Sequence, residues 1–378
     1  MTKKSRPRAG SLAFYPRKRA KREMASYKTV PVIAVGKAKA INFLGYKAGM
    51  THVIGKDQHA KGKTFGQDIS IPGTVIECPP LQVFGARAYS KKNNALHPLA
   101  ETHSQKNEKE LLRKIRNFRK KSKKEKKAGK EKRETSFEDL EKKLLEIEEI
   151  RLLAFSNPKL AGFGRKKPDV FELRLSGSRE QQLAFAREKI GKEISVRECF
   201  DEKQFVDVKA VTKGKGFQGV IKRFGVKTLK PKSKKQRVVG SIGPWNPSTV
   251  MWTVARPGQH GYHTRTEYNK RILLIGDNAT GVTPDSGFKN YGIVSNDFLL
   301  VAGSIPGPAK RAVSLRHTIR VFPENRFNIS GIDFIASKKE KQKHATEEEV
   351  KAQKAEAVKE DKQEKKSVEQ EIAEAVKK

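Results

Sequence analysis

The stretch Gln204-Phe-Val-Asp-Val-Lys-Ala-Val-Thr212 predicts a β-strand that leads directly into the most unusual part of the chain. Short runs of the same β-rich kind, with turn residues between them, occur on both sides of it. They are Val32-Ile-Ala-Val, Ile41-Asn-Phe-Leu, Met50-Thr-His-Val-Ile, Ile71-Pro-Gly-Thr-Val-Ile-Glu and Leu81-Gln-Val-Phe-Gly-Ala-Arg-Ala-Tyr before it, and Arg271-Ile-Leu-Leu-Ile, Gly292-Ile-Val, Asp297-Phe-Leu-Leu-Val-Ala-Gly and Val313-Ser-Leu-Arg after it. Strands at this spacing predict a small β-barrel built from two separated pieces of the chain.

The segment that follows the first strand contains no acidic residue. Residues 208–266 hold 13 Lys or Arg and no Asp or Glu in 59 positions. The exposed faces of free proteins normally mix both signs because like charges repel, so this segment indicates a polyanionic partner. A disordered basic linker is the alternative. Disordered tails are depleted in aromatic residues, however, and this segment contains several, which favours a shaped extension. They are Phe217, Phe224, Trp245, Trp252 and Tyr262.

The whole chain is strongly basic. Its 81 Lys and Arg against 42 Asp and Glu give a formal net charge of +39, of which residues 1–23 contribute +8 and residues 104–134 contribute +10. Such a balance indicates nucleic acid as the first partner and an anionic membrane as the second. No apolar run approaches the roughly 20 residues of a membrane helix, and the basic N-terminus lacks the apolar centre of a signal peptide. We therefore expect a cytosolic protein.

Three further segments are predicted to lie outside the barrel. The N-terminal segment mixes Pro, Gly and clustered Arg without periodicity, which predicts an extended arm that is ordered only by its partner. Helical patterns run from residue 104 to about 155 and again over 179–190, which predicts a mostly helical insertion. Ser136 and Asp139 fit a capping box there, and Leu140, Leu144 and Ile147 form a packing stripe. The tail, residues 338–378, has 12 basic and 11 acidic residues and is predicted to be a solvated helix, a disordered extension or an interaction tail.

Motifs of catalysis and cofactor binding are incomplete. Gly214-Lys-Gly-Phe-Gln-Gly219 matches a dinucleotide fingerprint, but the acid that should follow about 20 residues later is missing, and the next acid is Glu267. His260 and His263 could bind a metal, but zinc requires four donors, and the lone Cys78 and Cys199 lie at no ligand spacing. No nucleophile is paired with a base and an orienting acid. We expect no catalytic residue, no metal and no cofactor.

The basic and aromatic residues instead predict contacts with RNA. Lys and Arg would neutralise phosphates, while Trp245, Trp252, His260 and His263 offer planar faces for stacking on unpaired bases. Trp252 is equally compatible with simple packing, whereas Trp245 lies between glycine and prolines on a rigid turn and is expected to be exposed. The predicted RNA-contacting cations are Arg6, Arg8, Arg17, Lys18, Arg19, Lys213, Lys215, Lys222, Arg223, Lys227, Lys230, Lys232, Lys234, Lys235, Arg237, Arg256 and Arg265.

Several motifs, in order along the chain, resemble one family. They are Ser5-Arg-Pro-Arg-Ala-Gly-Ser-Leu, Phe43-Leu-Gly-Tyr-Lys-Ala-Gly-Met-Thr, Asn157-Pro-Lys-Leu-Ala-Gly-Phe-Gly-Arg-Lys-Lys-Pro, Lys215-Gly-Phe-Gln-Gly-Val, Gly243-Pro-Trp-Asn-Pro-Ser-Thr-Val-Met-Trp-Thr-Val-Ala-Arg-Pro-Gly-Gln-His-Gly-Tyr-His-Thr-Arg-Thr and Gly303-Ser-Ile-Pro-Gly-Pro. With these motifs the chain resembles the L-three family of large-subunit ribosomal proteins, in its archaeal form. The resemblance covers most of residues 1–337, and the tail has no counterpart in it.

The resemblance implies a β-rich α+β protein in which a translation-protein-type, six-stranded β-barrel carries a long, irregular, RNA-penetrating central extension. It implies direct binding to 23S rRNA, early subunit assembly near the 3′ end of that RNA, and an extension toward the peptidyl transferase centre with Trp245 near its tip. The implied partners are 23S rRNA and neighbouring large-subunit ribosomal proteins in the cytoplasmic ribosome, with no membrane, no DNA and no homo-oligomer. The role would be structural and not enzymatic.

On this analogy the chain divides into seven segments. They are a basic N-terminal arm (1–27), a first barrel portion (28–100), the mostly helical insertion (101–200), a barrel strand (201–213), the central extension (214–271), a second barrel portion (272–337) and the charged tail (338–378). An RNA chaperone or RNA-modifying protein, whose basic arms deliver RNA, is the alternative. A protein acting on DNA is a third reading, but the sequence has no helix-turn-helix or zinc-finger spacing.

Overall fold

The computed structural model describes residues 8–31, 38–59, 62–104, 108–115, 137–232, 234–277, 281–284, 286–320 and 329–334. The predicted contact residue Arg6, the predicted strand at 32–35, Ser136 with most of the basic run before it, and the tail lie outside these residues. The chain forms two compact units. The first comprises Met1–Thr51, Pro72–Ala279 and Asp285–Glu324, and the second comprises His52–Ile71, Thr280–Pro284 and Asn325–Lys378.

The described residues are rich in β-strands and contain few, short helices. The strands are β1 Asn42–Asp57, β2 Asp68–Glu77, β3 Leu81–Lys92, β4 Ala95–His103, β5 Glu149–Ser156, β6 Asp169–Arg174, β7 Glu193–Ile194, β8 Phe205–Val211, β9 Gly214–Gln218, β10 Gly258–Gly261, β11 Thr264–Gly276, β12 Phe298–Ala302, β13 Ala312–His317 and β14 Ile329–Phe334. The helices are α1 Glu108–Leu111, α2 Phe137–Lys142, α3 Arg179–Lys189, α4 Val196–Cys199 and α5 Val220–Phe224, and Leu12–Phe14 form a 3-10 turn.

The main sheet of the first unit has the order β13-β8-β11-β12-β2-β1, and β13 pairs with β1 as well as with β8. The predicted runs at 41–44, 50–54, 71–77, 204–212, 271–275, 297–303 and 313–316 all coincide with its strands. In the second unit, β14 pairs with the far end of β1, where Val53 lies opposite Phe334. The β-rich character that the sequence predicts is therefore confirmed.

One predicted strand is wrong. The run at 292–294 forms no strand, and Gly292 makes only an isolated bridge to Phe288. The two residues exchange backbone hydrogen bonds of 2.9 and 3.0 Å around a tight turn. Asn290, at φ 63°, and Gly292, at φ 109°, take left-handed conformations that an extended strand does not allow. The short apolar run therefore closes a turn.

A buried ion pair joins strands β8 and β13 of the main sheet, and the end of the N-terminal arm is hydrogen-bonded to the same two strands. Asp207 on β8 is fully buried and accepts a hydrogen bond of 2.9 Å from Nη2 of Arg316 on β13. The Tyr27 hydroxyl donates to the carbonyl oxygens of Asp207 and Ser314, at 2.6 and 3.0 Å. Because burial removes competing water, these bonds hold the end of the arm against the two strands.

The prediction of a mostly helical insertion is corrected. Strands β4, β3, β5 and β6 lie side by side in a second sheet, and β7 pairs with β3. The run Ile150-Arg-Leu-Leu-Ala-Phe155, expected as the end of a helix, is strand β5. Every residue of this run is buried, so both faces of the strand are covered and its apolar pattern shows no period of two. Such runs cannot be told from buried helix by pattern alone.

The predicted helix over 179–190 is confirmed as α3, which packs on this sheet. Ser178 caps it, because its hydroxyl accepts from the Gln181 amide and the Gln181 side chain accepts from the Ser178 amide. Gln182 reaches the sheet, where its side-chain oxygen accepts from the Ile150 amide at 2.9 Å. Of the predicted packing stripe, Leu140 and Ile147 are fully buried, whereas Leu144 is only half-buried because α2 ends at Lys142.

The acid-free segment, residues 208–266, contains a small antiparallel ribbon. Strand β9 pairs with β10, and helix α5 follows β9 and ends at Gly225, which caps it at φ 70°. Described residues 226–257 form no helix or strand. Strand β11 already begins at Thr264, inside the range 214–271 expected for the extension, and pairs with β8 from Thr264 onward. The ribbon therefore lies directly beside the main sheet.

Gly261 is required where β10 meets β11. It has φ 71°, and a Cβ at this position would collide with the carbonyl oxygen of Lys213. Replacing Gly261 with alanine is expected to destabilise the chain by about 1–3 kcal/mol, because the strained backbone and the collision add together. Urea unfolding would measure this effect. The control is Gly164→Ala, where a Cβ meets open space, and equal stability of the two variants would contradict the prediction.

Candidate nucleic-acid interface

Arg223 holds the base of the acid-free segment together. It lies on α5, and its Nε donates to the carbonyl of Gln259 at 2.9 Å, while Nη1 donates to that of Arg256 at 2.8 Å. Nη2 donates to the carbonyl of Arg17 at 3.3 Å. Burial and the nearby Arg17 charge lower the pKa of Arg223. This guanidinium therefore joins three backbone segments, and its predicted contact with phosphate stays a prediction.

The N-terminal arm lies along the same base. Arg17 Nη1 donates to the carbonyl of Arg223 at 2.7 Å, and the guanidinium stacks over the Phe224 ring at 4.2 Å. The Ala20 amide donates to the carbonyl of Tyr262 at 2.8 Å. The described residues of the arm are extended, as predicted, but contacts of the chain with itself hold them. The expectation that only a partner orders the arm is therefore wrong for these residues.

Aromatic side chains fill the junction between the arm and the segment. The Tyr15 ring meets Trp252 edge-on at 5.2 Å and Phe224 at 6.2 Å. Arg8 donates to the carbonyl of Thr253 on the same side. Trp252 nevertheless remains 69% exposed, so it combines packing with a free surface. Trp245 is 92% exposed, in agreement with the expectation for its turn.

Most of the predicted cations are exposed. Arg265 is half-buried, and its guanidinium lies 4.9 Å from the centroid of the Phe14 ring. Among the residues described, none of the exposed cations forms an ion pair with a carboxylate, so their charges are free to meet an external anion. They are Arg8, Lys18, Arg19, Lys213, Lys215, Lys222, Lys227, Lys230, Lys232, Lys234, Lys235, Arg237 and Arg256.

The two histidines lie side by side, with ring centroids 6.4 Å apart. His263 is buried, and its Nδ1 lies 2.9 Å from the carbonyl oxygen of Lys18. His260 is half-buried. Burial lowers the pKa of both imidazoles below 6.5, and neighbouring positive charges lower it further. The hydrogen bond of His263 to the Lys18 carbonyl acts in the opposite direction without reversing the shift, so the neutral form predominates in both rings near pH 7. Within the described ranges no cluster of three or more His, Cys, Asp or Glu could hold a metal ion.

The motif Gly214–Gly219 does not have the geometry of a dinucleotide-binding site. Gly214 and Gly216 belong to strand β9, whose partner β10 runs antiparallel to it, and Gly219 precedes the five-residue helix α5. A dinucleotide site requires a parallel strand-helix-strand unit, which these elements do not form. No helix in the described residues is long and apolar enough to cross a membrane.

Phe14 and Tyr15 contact residues of the acid-free segment, and the sequence did not lead us to predict either of them. Both belong to the arm, Tyr15 at the aromatic junction and Phe14 beneath Arg265. Their signal was present, since an aromatic pair occurs within a basic arm between clusters of arginine. Aromatic residues among cations are typical of surfaces that stack on nucleic-acid bases.

Substitutions of Arg223 and Lys222 compare a cation that is bonded to the backbone with a neighbouring cation that is exposed. Arg223→Ala is expected to lower stability by about 1–3 kcal/mol, because three carbonyls lose a charged donor. Lys222→Ala removes the same charge from an exposed neighbour and should leave stability within about 0.5 kcal/mol. Thermal unfolding of both variants measures the difference. Equal midpoints would show that Arg223 does not hold the base together.

Comparison with known proteins identifies the family of the chain. The family model of ribosomal protein L3 matches residues 1–372, and so includes most of the tail that the sequence motifs left unassigned. Large ribosomal subunit protein uL3 of Methanothrix thermoacetophila is 44% identical over 320 residues, which are 83% of this chain and 92% of that protein. The protein of the same name from Archaeoglobus fulgidus is 42% identical over 340 residues, 88% of this chain and 97% of that protein. The chain belongs to the ribosomal protein L3 family.

Proposed function

We propose that this chain is a structural constituent of the large ribosomal subunit and binds 23S rRNA directly through the N-terminal arm and the acid-free segment. Family membership supports a ribosomal role and not an enzymatic one. The observation that carries the proposal is the docking of the arm on the base of the segment, through Arg17, Arg223 and Phe224. This docking brings together unpaired cations from two separated parts of a chain with a net charge of +39.

Within this surface we assign two roles to the predicted contact residues. Arg17, Arg223 and His263 position the backbone, because their polar atoms bond to carbonyl oxygens of the chain. The exposed lysines and arginines, together with Arg6, contact phosphates. Arg8 does so with its remaining donors, because it also donates to the carbonyl of Thr253. Trp245 and Trp252 stack on unpaired bases. This division follows from exposure, since a side chain already bonded within the protein has fewer donors left for RNA.

Of the segments set out from the sequence, the arm, the extension and the tail remain a proposal for the ribosome-bound chain, whereas β3 and β4 belong to the second sheet and not to the barrel. A six-stranded β-barrel is supported by β13, which pairs with both β8 and β1 and so links the two ends of the strand order. Residues 214–263 form the extension, shortened at its end because β11 begins at Thr264. The exposure of Trp245 supports its place near the tip, toward the peptidyl transferase centre. Early assembly near the 3′ end of the rRNA belongs to the same proposal.

The proposed partners are 23S rRNA and neighbouring large-subunit proteins in the cytoplasmic ribosome, with one copy of the chain per subunit and no DNA. A structural constituent stays bound in stoichiometric amount, whereas an RNA chaperone or modifying protein leaves after acting. Sedimentation of a native extract through a sucrose gradient at high salt separates these cases. We expect one copy per large subunit after peripheral proteins are removed. Release of the chain to the top fractions would favour the chaperone or modifying role.

A further inference from the structure

An open cleft of about 580 Å³ lies where the arm meets strands β9, β10 and β11. Phe14 from the arm, Lys213, Lys215, His260, His263 and Arg265 are among its lining residues. Glu267 also lines it, but Lys270 neutralises this carboxylate at 2.8 Å. The cleft therefore combines exposed positive charge with an aromatic ring. A cavity of this volume has room for one nucleotide.

His263, which lines the cleft, has one ring nitrogen without a hydrogen-bond partner. A carbonyl oxygen can only accept, so the hydrogen bond to Lys18 requires the proton of the neutral ring to be on Nδ1. Nε2 therefore carries a lone pair. This atom is buried and has no hydrogen-bond partner among the described residues. A buried acceptor without a donor costs free energy, which a ligand with a hydroxyl or amine could recover.

The chemistry of the missing ligand follows from these two features. The lysines and Arg265 attract an anion that accepts hydrogen bonds, whereas Nε2 of His263 can bond only to a group that donates one. A phosphate diester supplies the anion but no donor, and the sugar of DNA has no hydroxyl beside it. A ribonucleotide supplies both, because its 2′-hydroxyl is a donor close to the phosphate. The half-exposed Phe14 ring adds a surface on which a base can stack.

We infer that this cleft binds one unpaired ribonucleotide of the rRNA, whose phosphate lies on Lys213, Lys215 and Arg265, whose base stacks on Phe14, and whose 2′-hydroxyl donates to Nε2 of His263. The inference rests on the proposed function and adds a specific contact to it. Elsewhere on the surface, exposed lysines contact phosphates of either nucleic acid. The cleft distinguishes RNA from DNA.

The test compares small ligands on the full chain by saturation-transfer NMR and competition. The ligands are adenosine 5′-monophosphate, its 2′-deoxy form and inorganic phosphate. The ribonucleotide is expected to bind about 2- to 10-fold more tightly than the deoxynucleotide, the effect of one hydrogen bond, and phosphate more weakly than either. Equal affinity of the two nucleotides would overturn the inference. Phosphate that binds as tightly as the ribonucleotide would also overturn it and leave only an anion site.

Substitutions at exposed positions locate the binding without unfolding the chain. Phe14→Ala is expected to lower ribonucleotide affinity at least about fivefold, because it removes the stacking surface. Phe65→Ala is the matched control, since its ring is similarly exposed, 59% against 51%, outside the cleft. Unchanged affinity in Phe14→Ala would overturn the site. Binding of the wild-type chain to a full-length large-subunit rRNA transcript tests the proposed function separately, because the exposed lysines carry it in either case.

Discussion

Replacement of five lysines in the acid-free segment with glutamine should remove about a third of the salt dependence of rRNA binding that the proposed phosphate contacts would give. The lysines are Lys227, Lys230, Lys232, Lys234 and Lys235, all exposed and without an ion pair in the portion of the chain that the structure describes. Each phosphate contact releases counterions and adds about 0.7 to 0.9 to the slope of log affinity against log salt. The slope should therefore fall by about 3.5 to 4.5. Filter binding to a large-subunit rRNA transcript over a salt series measures it.

The same slope fixes the change in affinity. The ratio of the rRNA affinity of the wild-type chain to that of the variant should fall about 100- to 500-fold between about 50 and 200 mM salt. A second variant in which Lys91, Lys92, Lys142, Lys143 and Lys192 become glutamine carries the same change in net charge. These lysines are exposed but lie outside the proposed interface. Equal slopes for the two variants would mean that total charge alone, and not this segment, determines binding.

The sequence predicted the main sheet well because its strands are short, β-rich and separated by turn residues. Strand β1 contains two of the predicted runs, and β8 coincides with another. The insertion was predicted wrongly because β5 is buried on both faces, and one of its two partners, β3, is far away in the sequence. Tertiary pairing decides such a run, and local pattern does not contain that information.

The interface was predicted by residue type but not by arrangement. Charge and aromatic content identified the arm and the acid-free segment separately. Their docking depends on Arg17 and Arg223, which are 206 positions apart, and on carbonyl oxygens that carry no signature in the sequence. For the same reason the sequence predicted His263 as an RNA contact but could not predict that its Nε2 is buried without a partner. Only the position of the Lys18 carbonyl fixes the proton on the other nitrogen.

Substitution of Trp245 with alanine should impair the ribosome without destabilising the protein. The side chain is 92% exposed, so its loss should change the free energy of unfolding by no more than about 0.5 kcal/mol. In the assembled subunit, however, we propose that this ring stacks on RNA near the peptidyl transferase centre. Loss of one stacked base corresponds to about 1–3 kcal/mol, or about 5- to 150-fold in the population of the ordered state. We therefore expect slower peptide-bond formation or tRNA accommodation.

The control for this substitution is Trp252→Ala. Trp252 lies at the base of the segment, against Tyr15, and not near the proposed tip. Its loss should lower stability by about 0.5–1.5 kcal/mol through the aromatic contact, and should affect peptide-bond formation less. Thermal unfolding of the two proteins and puromycin reactivity of ribosomes that carry them separate the two roles. Normal elongation by ribosomes with Trp245→Ala would contradict the proposed position of Trp245 near the peptidyl transferase centre, because a ring that stacks on RNA there should affect the reaction when it is removed.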